Sequence, residues 1–163
     1  MNARAQRFQA IHAATRNALW AWLVGMVRDA GDRDEVYQET WLRLLRRLDR
    51  EPPTSPRAYV IRIARRVLSE RRRSSRHRSG LDGDAVVAKP PADGLRERLA
   101  AALIALPESR REVFLLRHHA GLSYEEIART LDLSSGTVAS RLHVAVRELR
   151  THLDRLAGQE SSP

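Results

Sequence analysis

The fold is decided by the stretch from Tyr124 to His143, which reads YEEIARTLDLSSGTVASRLH. Apolar side chains recur there at three- and four-residue spacing, the period of an α-helix with one buried face. The period is interrupted at Asp132 and Leu133, where we expect a tight turn with Leu133 filling the space beneath it. Two short helices that meet at such a turn predict a helix-turn-helix. Its predicted buried residues are Ile127, Ala128, Leu131, Val138 and Leu142.

The second helix of this motif is expected to begin after its cap, Ser134, and to run to about Leu156. Near its start, one side faces solvent, and in a helix-turn-helix those side chains reach base edges and phosphates in the DNA major groove. Plain helical bundles also contain two short helices with a tight turn, so the layout alone leaves both interpretations open. The solvent-facing candidates are Ser135, Thr137, Ala139, Ser140 and Arg141.

Two further helices are predicted upstream of the motif. Ser123 with Glu126 forms a capping box, which marks where the motif begins. Before it, residues 108–120 predict a helix that Gly121 closes. An earlier helix is predicted by leucines at four- and three-residue spacing, namely Leu95, Leu99, Leu103 and Leu106.

The N-terminal half predicts three more helices. Residues 8–27 are rich in Ala, Leu and Trp, and their predicted core residues are Trp20, Trp22, Leu23 and Met26. The next helix is amphipathic, with apolar residues at helical spacing, namely Tyr37, Trp41, Leu44, Leu45 and Leu48. Ser55 before Pro56 is typical of an N-cap followed by proline at the first helical position, so a third helix begins there.

This third helix combines an apolar face with a basic one. Residues 57–78 contain nine arginines, and Glu70 is their only acidic residue. The planar guanidinium group matches phosphate oxygens, so the basic face favours nucleic acid. A solvated face, or the arginine bias of a GC-rich genome, would explain the same pattern. The predicted apolar face consists of Val60, Ile63, Ala64, Val67 and Leu68.

A stretch rich in Gly, Ser, Pro and Asp separates the two halves and is typical of a flexible linker. We find no sustained period-two alternation that would predict a sheet. The expected fold is therefore all-α, with two small helical domains joined by a flexible linker. We expect the first domain over residues 1–73, the linker over 74–94, the helix-turn-helix domain over 95–157 and a disordered tail over 158–163.

The composition narrows the classes of function. The chain has 163 residues and a net charge of +9, and 28 of its 29 lysine and arginine residues are arginines. It contains no cysteine, which excludes disulfides, thiolate metal sites and a cysteine nucleophile. No apolar run is long enough for a membrane span, and residues 1–9 lead into no secretion signal. We expect a cytoplasmic protein with an anionic partner, without metal, cofactor or membrane insertion.

Several stretches resemble the extracytoplasmic-function (ECF) subgroup of bacterial sigma factors. Region 4 of that family is resembled by residues 106–117 (LPESRREVFLLR), 121–128 (GLSYEEIA) and 136–143 (GTVASRLH). Its core-binding helix is resembled by residues 32–41 (DRDEVYQETW), and its promoter-melting helix by residues 57–66 (RAYVIRIARR). The motifs follow the family's order, on the two sides of the expected linker.

The resemblance implies a function and its site residues. Members bind core RNA polymerase, direct it to promoters through −10 and −35 elements and help to open the strands by binding energy alone. The resemblance implies that the five solvent-facing candidates of the helix-turn-helix bind the −35 element. It implies that the loop 50–55 and the helix after it bind the −10 element. The residues implied for docking on the clamp coiled coil of the largest polymerase subunit are Asp34, Glu35, Gln38, Glu39, Leu42 and Arg43. Those implied for −10 DNA are Arg57, Tyr59, Arg62, Arg65, Arg66, Glu70 and Arg73.

Four positions depart from the family's pattern. Arg66 stands where asparagine is common, Ala139 and Val144 replace residues that are commonly basic, and Asp132 replaces a frequent turn glycine. Aspartate tolerates the left-handed conformation, so the turn can persist, while fewer phosphate contacts predict weaker −35 binding. Alternatively, Val144 and Val146 form an exposed apolar strip that meets the polymerase flap or an inhibitor. The resemblance also allows an anti-sigma factor as a partner.

Two other classes of protein share part of this pattern. One is a free-standing helix-turn-helix regulator that binds duplex operators without polymerase, and the other is a recombinase or nuclease with a terminal helix-turn-helix. A regulator needs neither an acidic docking helix nor an arginine face for single strands. An enzyme needs a nucleophile or a metal cluster, which the sequence does not offer, so we expect no catalytic residues.

Overall fold

The computed structural model describes residues 3–48, 53–79 and 94–159 of the chain. This part of the chain contains helices and connecting turns but no β-strand, which confirms the all-α prediction. Its seven helices are α1 (Ala3–Met26), α2 (Ala30–Arg47), α3 (Pro56–Ser79), α4 (Leu95–Ala105), α5 (Glu108–His118), α6 (Tyr124–Leu131) and α7 (Ser135–Gln159).

The N-terminal unit packs α3 against both α1 and α2. The predicted apolar face of α3 is confirmed, because all five of its residues are buried. Ser55 Oγ accepts a hydrogen bond from the Ala58 N–H at 3.4 Å, and Pro56 is the first helical residue, as the cap pattern predicts. The carboxylate of Asp29 caps α2 by accepting from the Asp32 N–H at 2.8 Å. Local sequence thus fixes where both helices begin.

The prediction that Trp20 belongs to the core is wrong, whereas Trp22, Leu23 and Met26 are buried as predicted. Successive helical residues are about 100° apart, so Trp20 and Trp22 point to nearly opposite sides of α1. Trp22 takes the inward side, and Trp20 remains 41% exposed. The Trp20 ring packs edge-on against Tyr37 of α2, with centroids 5.5 Å apart.

The helix-turn-helix is formed by α6 and α7, and its caps are those that the sequence predicts. The Ser123 side chain accepts from the Glu126 N–H at 3.1 Å, and the Glu126 carboxylate accepts from the Ser123 N–H at 2.8 Å. Ser134 Oγ likewise accepts from the Thr137 N–H at 3.1 Å. Asp132 adopts the left-handed conformation, with φ 56° and ψ 52°. Four of the predicted core residues are buried and Leu131 is half-buried.

The helix predicted from the leucine spacing forms as α4 and begins at Leu95, which is 71% exposed as the first residue of the helix. One expectation for the C-terminal half is wrong. Val144 and Val146 are half-buried and form no exposed strip. They flank the fully buried Ala145 on a helix that is covered by α4, α5 and α6.

The helices run beyond the predicted domain boundaries. α3 continues to Ser79, so the linker does not begin at residue 74. The sequence from 74 to 79 holds no glycine or proline that would stop a helix, and the first such residue is Gly80. α7 ends at Gln159, beyond the predicted end at 157. Most of the predicted linker and the last part of the predicted tail lie outside the described residues.

The two halves pack against each other through α1 with α5 and α3 with α6. Their buried side chains form one continuous cluster. Gly25 of α1 lies at a close approach between the halves, since a Cβ atom there would collide with the methyl carbons of Leu115. Leu115 itself is fully buried. The fold therefore brings the helix-turn-helix half onto the helices that carry the other predicted sites.

Candidate nucleic-acid interface

The five −35 candidates lie on the first turns of α7, around the buried side chains of Val138 and Leu142. Ser135 and Ser140 are exposed, and the other three candidates are half-buried. The Thr137 hydroxyl also hydrogen-bonds Ser134 Oγ at 2.8 Å, so the cap already uses part of its capacity. This side of α7 offers hydroxyl groups and the Arg141 guanidinium group to a ligand.

The two residues that bound the predicted motif, Tyr124 and His143, are both exposed. Tyr124 is the first residue of α6, as predicted, and the Arg117 guanidinium group lies 5.5 Å from the centroid of its ring. His143 ends the motif in the sequence but ends no helix, because α7 continues to Gln159. It stands three positions after Ser140, so these two exposed side chains share one face of α7. The solvent-facing side of the motif therefore reaches as far as His143.

The −10 candidates lie on α3 and form two groups by exposure. Arg57, Arg62, Arg66 and Arg73 are exposed, while Tyr59, Arg65 and Glu70 are half-buried. None of them belongs to the apolar face that packs on α1 and α2, which confirms the predicted separation of the two faces. Partners on neighbouring helices are bound by Arg65 and Glu70 of the half-buried group and by Arg62 of the exposed group.

Two of these arginines reach across to the end of α6. Arg65 donates to the Thr130 carbonyl oxygen at 2.8 Å, and Arg62 donates to the Arg129 carbonyl oxygen at 3.4 Å. Carbonyl groups in the last turn of a helix lack partners within it and carry the negative end of its dipole. These two arginines of α3 therefore supply hydrogen-bond donors to the C-terminus of α6, the first helix of the helix-turn-helix.

Arg65 also pairs with a carboxylate that lies in the seam between the halves. Its Nε donates to Glu112 of α5 at 2.7 Å, and its Nη2 donates to the other carboxylate oxygen at 3.5 Å. Burial raises the pKa of Glu112 above its ordinary value, although the charge of Arg65 acts in the opposite direction. Nearby, Arg72 Nη1 donates to Glu108 at 2.5 Å, and its Nη2 donates to the Met26 carbonyl oxygen at 3.4 Å. Thus the basic face of α3 already holds anionic partners.

A groove of about 250 Å³ lies between the start of α3 and α6. Tyr59 and Arg62 line one side of it together with residues 53–55, and Glu126 and Arg129 line the other. Hydrogen bonds from Ser55 and from the capped backbone hold the pKa of Glu126 below its ordinary value. Residues 50–52 of the loop implied for the −10 element lie outside the described residues.

The docking candidates lie on α2 and border a second groove, of about 460 Å³, between α2 and α3. Five of the six candidates line it, and Asp34, which is exposed, does not. Leu42 is 47% exposed there among charged neighbours. An exposed leucine in an open, polar groove is a candidate anchor for another protein.

Arginines from both helices organise the walls of this groove. Arg43 bridges Glu39 and Glu70, at 2.7 Å to each carboxylate, while Arg66 approaches Glu70 at 3.1 Å. Hydrogen bonding to Arg43 lowers the pKa of Glu70 below its ordinary value. A second arginine of α3, Arg71, pairs with two carboxylates of α2, Asp32 at 2.8 Å and Glu35. Glu70, which was predicted with the DNA-binding residues, thus lies within the ion pairs of the docking groove.

Sequence reasoning missed the residues in the seam between the halves. Glu112 and Arg111 are both buried, and Arg111 donates to the Ile104 carbonyl oxygen at 3.2 Å. Burial lowers the pKa of the Arg111 guanidinium group. The only available signal was two charged residues at helix positions beside an apolar face. Such a pattern does not say which distant helix will cover them.

Comparison with known proteins places both halves in one family. Residues 11–78 match the model of Sigma-70 region 2, and residues 96–149 match that of Sigma-70 region 4. The ECF RNA polymerase sigma factor SigL of Mycobacterium tuberculosis is 32% identical, over 94% of this chain and 93% of its own. SigK of Mycolicibacterium vanbaalenii, also an ECF RNA polymerase sigma factor, is 27% identical, over 90% of this chain and 81% of its own.

Solved structures share the fold across both halves. The sigma factor RpoE of Bartonella quintana, solved with the anti-sigma factor NepR, matches with a TM-score of 0.75 and 22% identity, over 92% of this chain and 96% of its own. CnrH, solved with the cytosolic domain of CnrY, matches with a TM-score of 0.68 and 26% identity, over 93% of this chain and 95% of its own. In the described residues, no helix combines the length and hydropathy of a membrane span. The chain belongs to the ECF RNA polymerase sigma factors, which bind core RNA polymerase and direct it to specific promoters.

Proposed function

We propose that this chain is a cytoplasmic, non-catalytic initiation factor whose three tasks fall to α2, α3 and α7. The helices up to Ser79 dock on core polymerase and hold the −10 element, and those from Leu95 onward read the −35 element. The observation that carries this assignment is the arrangement on α3. One side of this helix borders the groove with the exposed Leu42, and the other carries the arginines that already bind oxygen acceptors.

Docking is assigned to the groove between α2 and α3. Leu42 offers an apolar anchor, and Glu35, Gln38 and Glu39 surround it with polar groups. Paired arginines hold Glu35 and Glu39 in place, which lowers the entropy cost of binding a partner. We assign this surface to the clamp coiled coil of the largest polymerase subunit, with Asp34 and Arg43 at its border.

The −10 element is assigned to the exposed side of α3 and the loop before it. A single strand is held by a positive groove together with an aromatic ring on which a base can stack. Arg57, Arg62 and Arg65 supply the charge around Tyr59, with Arg66 and Arg73 further along the helix. Glu70 serves this surface indirectly, by orienting Arg66 through their ion pair.

The −35 element is assigned to the start of α7. Its exposed serines and Arg141 can reach the major groove, while Ala139 allows close approach without adding a hydrogen bond. With few charges on this side, we expect a shallow dependence of −35 binding on salt. The polymerase flap is the protein partner assigned to this half of the chain.

An anti-sigma factor is the further partner that we assign to the chain. RpoE of Bartonella quintana was solved bound to an anti-sigma factor, and CnrH was solved bound to the cytosolic domain of CnrY. The fold shared with both proteins extends over the two halves of this chain. A partner of that kind would bind the arrangement in which α5 packs on α1 and α6 packs on α3.

In vitro transcription tests the proposal. Purified protein, core polymerase from the source organism and sheared genomic DNA are combined, and the transcript starts are sequenced. Starts that depend on the protein and share two upstream motifs at fixed spacing are expected. If no such starts appear and the protein also fails to retain core polymerase in a pull-down, a free-standing DNA-binding regulator becomes the better interpretation.

A further inference from the structure

One side of α1 faces solvent although it carries large apolar side chains. Trp20 is 41% exposed and Val24 is 51% exposed. They belong to a row at alternating three- and four-residue spacing, here called the α1 stripe, whose other members are the exposed Ala10, Ala13 and Asn17. At about 100° per residue, these five positions lie within an arc of roughly 80°. The other sides of α1 pack on α2, α3, α4 and α5, so the stripe points away from the described fold.

The α1 stripe is uncharged. Charged residues make up 30% of the whole chain, but none of the five stripe positions is charged. The helix contains no aspartate or glutamate, and its arginines, Arg4, Arg7 and Arg16, lie outside the stripe. A row at three- and four-residue spacing is the pattern by which one helix packs along another. An uncharged row with an exposed tryptophan is therefore typical of a helix that is covered by a partner.

We infer that the α1 stripe is a self-association surface, on which a second copy of this chain packs its own α1 in the antiparallel direction. The stripe is small at its N-terminal end and large at its C-terminal end. Reversing the direction therefore brings the large side chains of each copy onto the small ones of the other. A two-fold axis near Asn17 makes the two halves of the contact identical, which is the usual arrangement in homodimers. The stripe shares no residue with the docking and DNA-binding surfaces proposed above.

The fit centres on Trp20. Where two helices pack closely, a side chain of one inserts among four residues of the other. With the axis near Asn17, Trp20 of each copy meets four residues of the other that are all small and exposed, namely Ala10, Ala13, Ala14 and Asn17. Tyr37 already holds one edge of the Trp20 ring, with centroids 5.5 Å apart, so less conformational freedom is lost when the ring is buried.

The length and charge of the contact set its strength. From Ala10 to Val24 the helix rises ~21 Å, so the interface belongs to the small class and the dimer should be weak and dependent on concentration. The net charge of +9 on each copy opposes association, as do the two Arg16 side chains beside the axis. Because salt screens like charges, added NaCl should strengthen the dimer, which is the opposite of its effect on binding to DNA.

Sedimentation equilibrium of the full chain tests the inference. Over a hundredfold range of concentration, the weight-average mass of the wild type should rise from the monomer mass of 18.5 kDa toward twice that value. Trp20→Ala removes the inserted side chain and Ala13→Trp fills the space that receives it, so each should weaken association at least tenfold. The matched controls, Leu95→Ala and Ala157→Trp, make the same kinds of change at exposed positions of α4 and α7. Unchanged helix content by circular dichroism shows that the variants are folded.

The double variant, Trp20→Ala with Ala13→Trp, tests the direction of the helices. In the antiparallel pair these two positions face each other, so the exchange restores one large and one small side chain at each contact. It should recover most of the wild-type association. A parallel pair would bring each position onto its own counterpart and would gain nothing from the exchange. A wild type that stays monomeric over the whole range, or a double variant no better than the single ones, would overturn the inference.

Cross-linking gives a second readout, because the chain has no cysteine of its own. Asn17→Cys places each thiol beside its counterpart near the axis and should give a disulfide-linked dimer on mild oxidation. Ala10→Cys places the two thiols ~21 Å apart and should not. Equal cross-linking of the two variants would contradict the antiparallel arrangement. Transcription starts decide the proposed function separately, because no stripe residue is assigned to polymerase or DNA.

Discussion

Arg65 and Glu112 form a bidentate ion pair between residues 47 positions apart, with the shorter bond at 2.7 Å. The Glu112 side chain is only 11% exposed, against 33% for Arg65. Burial therefore dominates the titration of this carboxyl group and raises its pKa above the ordinary value of 4.5 despite the neighbouring arginine. The pair joins α3 to α5, but keeping the buried Glu112 carboxylate charged costs free energy.

Stability should accordingly depend on pH through Glu112. Since its pKa is higher in the folded chain than in the unfolded chain, its contribution to the free energy of unfolding is complete below pH 4.5 and is lost as the pH rises through the folded-state value. Glu112→Gln should remove this loss and leave the chain at least as stable as the wild type at pH 7. Urea denaturation between pH 4 and pH 8 would measure the difference.

Glu112→Ala is the control for this experiment, because it removes the acceptor as well as the charge. It should destabilise the chain at every pH, by about 1–3 kcal/mol, since Arg65 loses its partner. If the wild type instead gained stability over Glu112→Gln with rising pH, attraction to Arg65 would outweigh burial and the assigned direction of the pKa would be wrong.

Leu42→Asp should weaken binding to core polymerase roughly 10–100-fold, the loss expected for a central apolar anchor. Leu42 is 47% exposed in the free chain, so the change should leave the fold intact. Val24→Asp is the matched control: Val24 is 51% exposed on α1, away from the groove. Affinity is measured by titrating labelled protein with core polymerase. Equal losses in the two variants would remove Leu42 from the docking surface.

The local structure followed closely from the sequence. The capping box at Ser123, the cap at Ser55 and the left-handed turn at Asp132 all form where the residue types predict. These features depend on neighbours within four positions, which is the range over which sequence patterns carry physical information. The inward face of α3 was predictable for the same reason, because helical spacing alone separates Val60 or Val67 from the arginines.

The contact between the halves was not predictable in this way. Gly25 looks like an ordinary helix residue, and only the approach of Leu115 gives it a role. Trp20 was misplaced because tryptophan favours burial, yet its position on α1 points outward. For the site, the sequence gives no indication that Arg62 and Arg65 bind a distant helix end. Such contacts depend on which surfaces remain to be covered after each half has formed.

Arg141→Ala should reduce binding to the −35 element by about 1–3 kcal/mol if Arg141 makes a bidentate contact with a base. The loss should vanish on a promoter whose −35 element is scrambled, because a base contact depends on sequence. Arg147→Ala is the control, since Arg147 is exposed further along α7, beyond the assigned residues. Polymerase holoenzyme and matched promoter fragments would supply the measurement. An equal loss on the scrambled element would make Arg141 a phosphate contact.

Asp132 is the non-glycine residue with positive φ among those the structure describes, and it ends α6. The left-handed conformation costs an L-residue roughly 1–2 kcal/mol, and a carboxylate at a helix C-terminus is opposed by the helix dipole. Asp132→Gly should therefore raise the free energy of unfolding by up to about 1 kcal/mol. Asp132→Val should lower it by about 1–2 kcal/mol, because a β-branched residue is strained there.

Asp132→Asn separates the two causes, since asparagine tolerates the left-handed conformation but carries no charge. If Asp132→Asn is as stable as Asp132→Gly, removal of the charge near the helix dipole accounts for the gain. If Asp132→Asn is only as stable as the wild type, the backbone freedom of glycine accounts for it. Thermal unfolding followed by circular dichroism ranks the four proteins. A valine variant as stable as the wild type would mean that the turn does not depend on φ at this position, and the motif would tolerate the loss of its usual glycine for another reason.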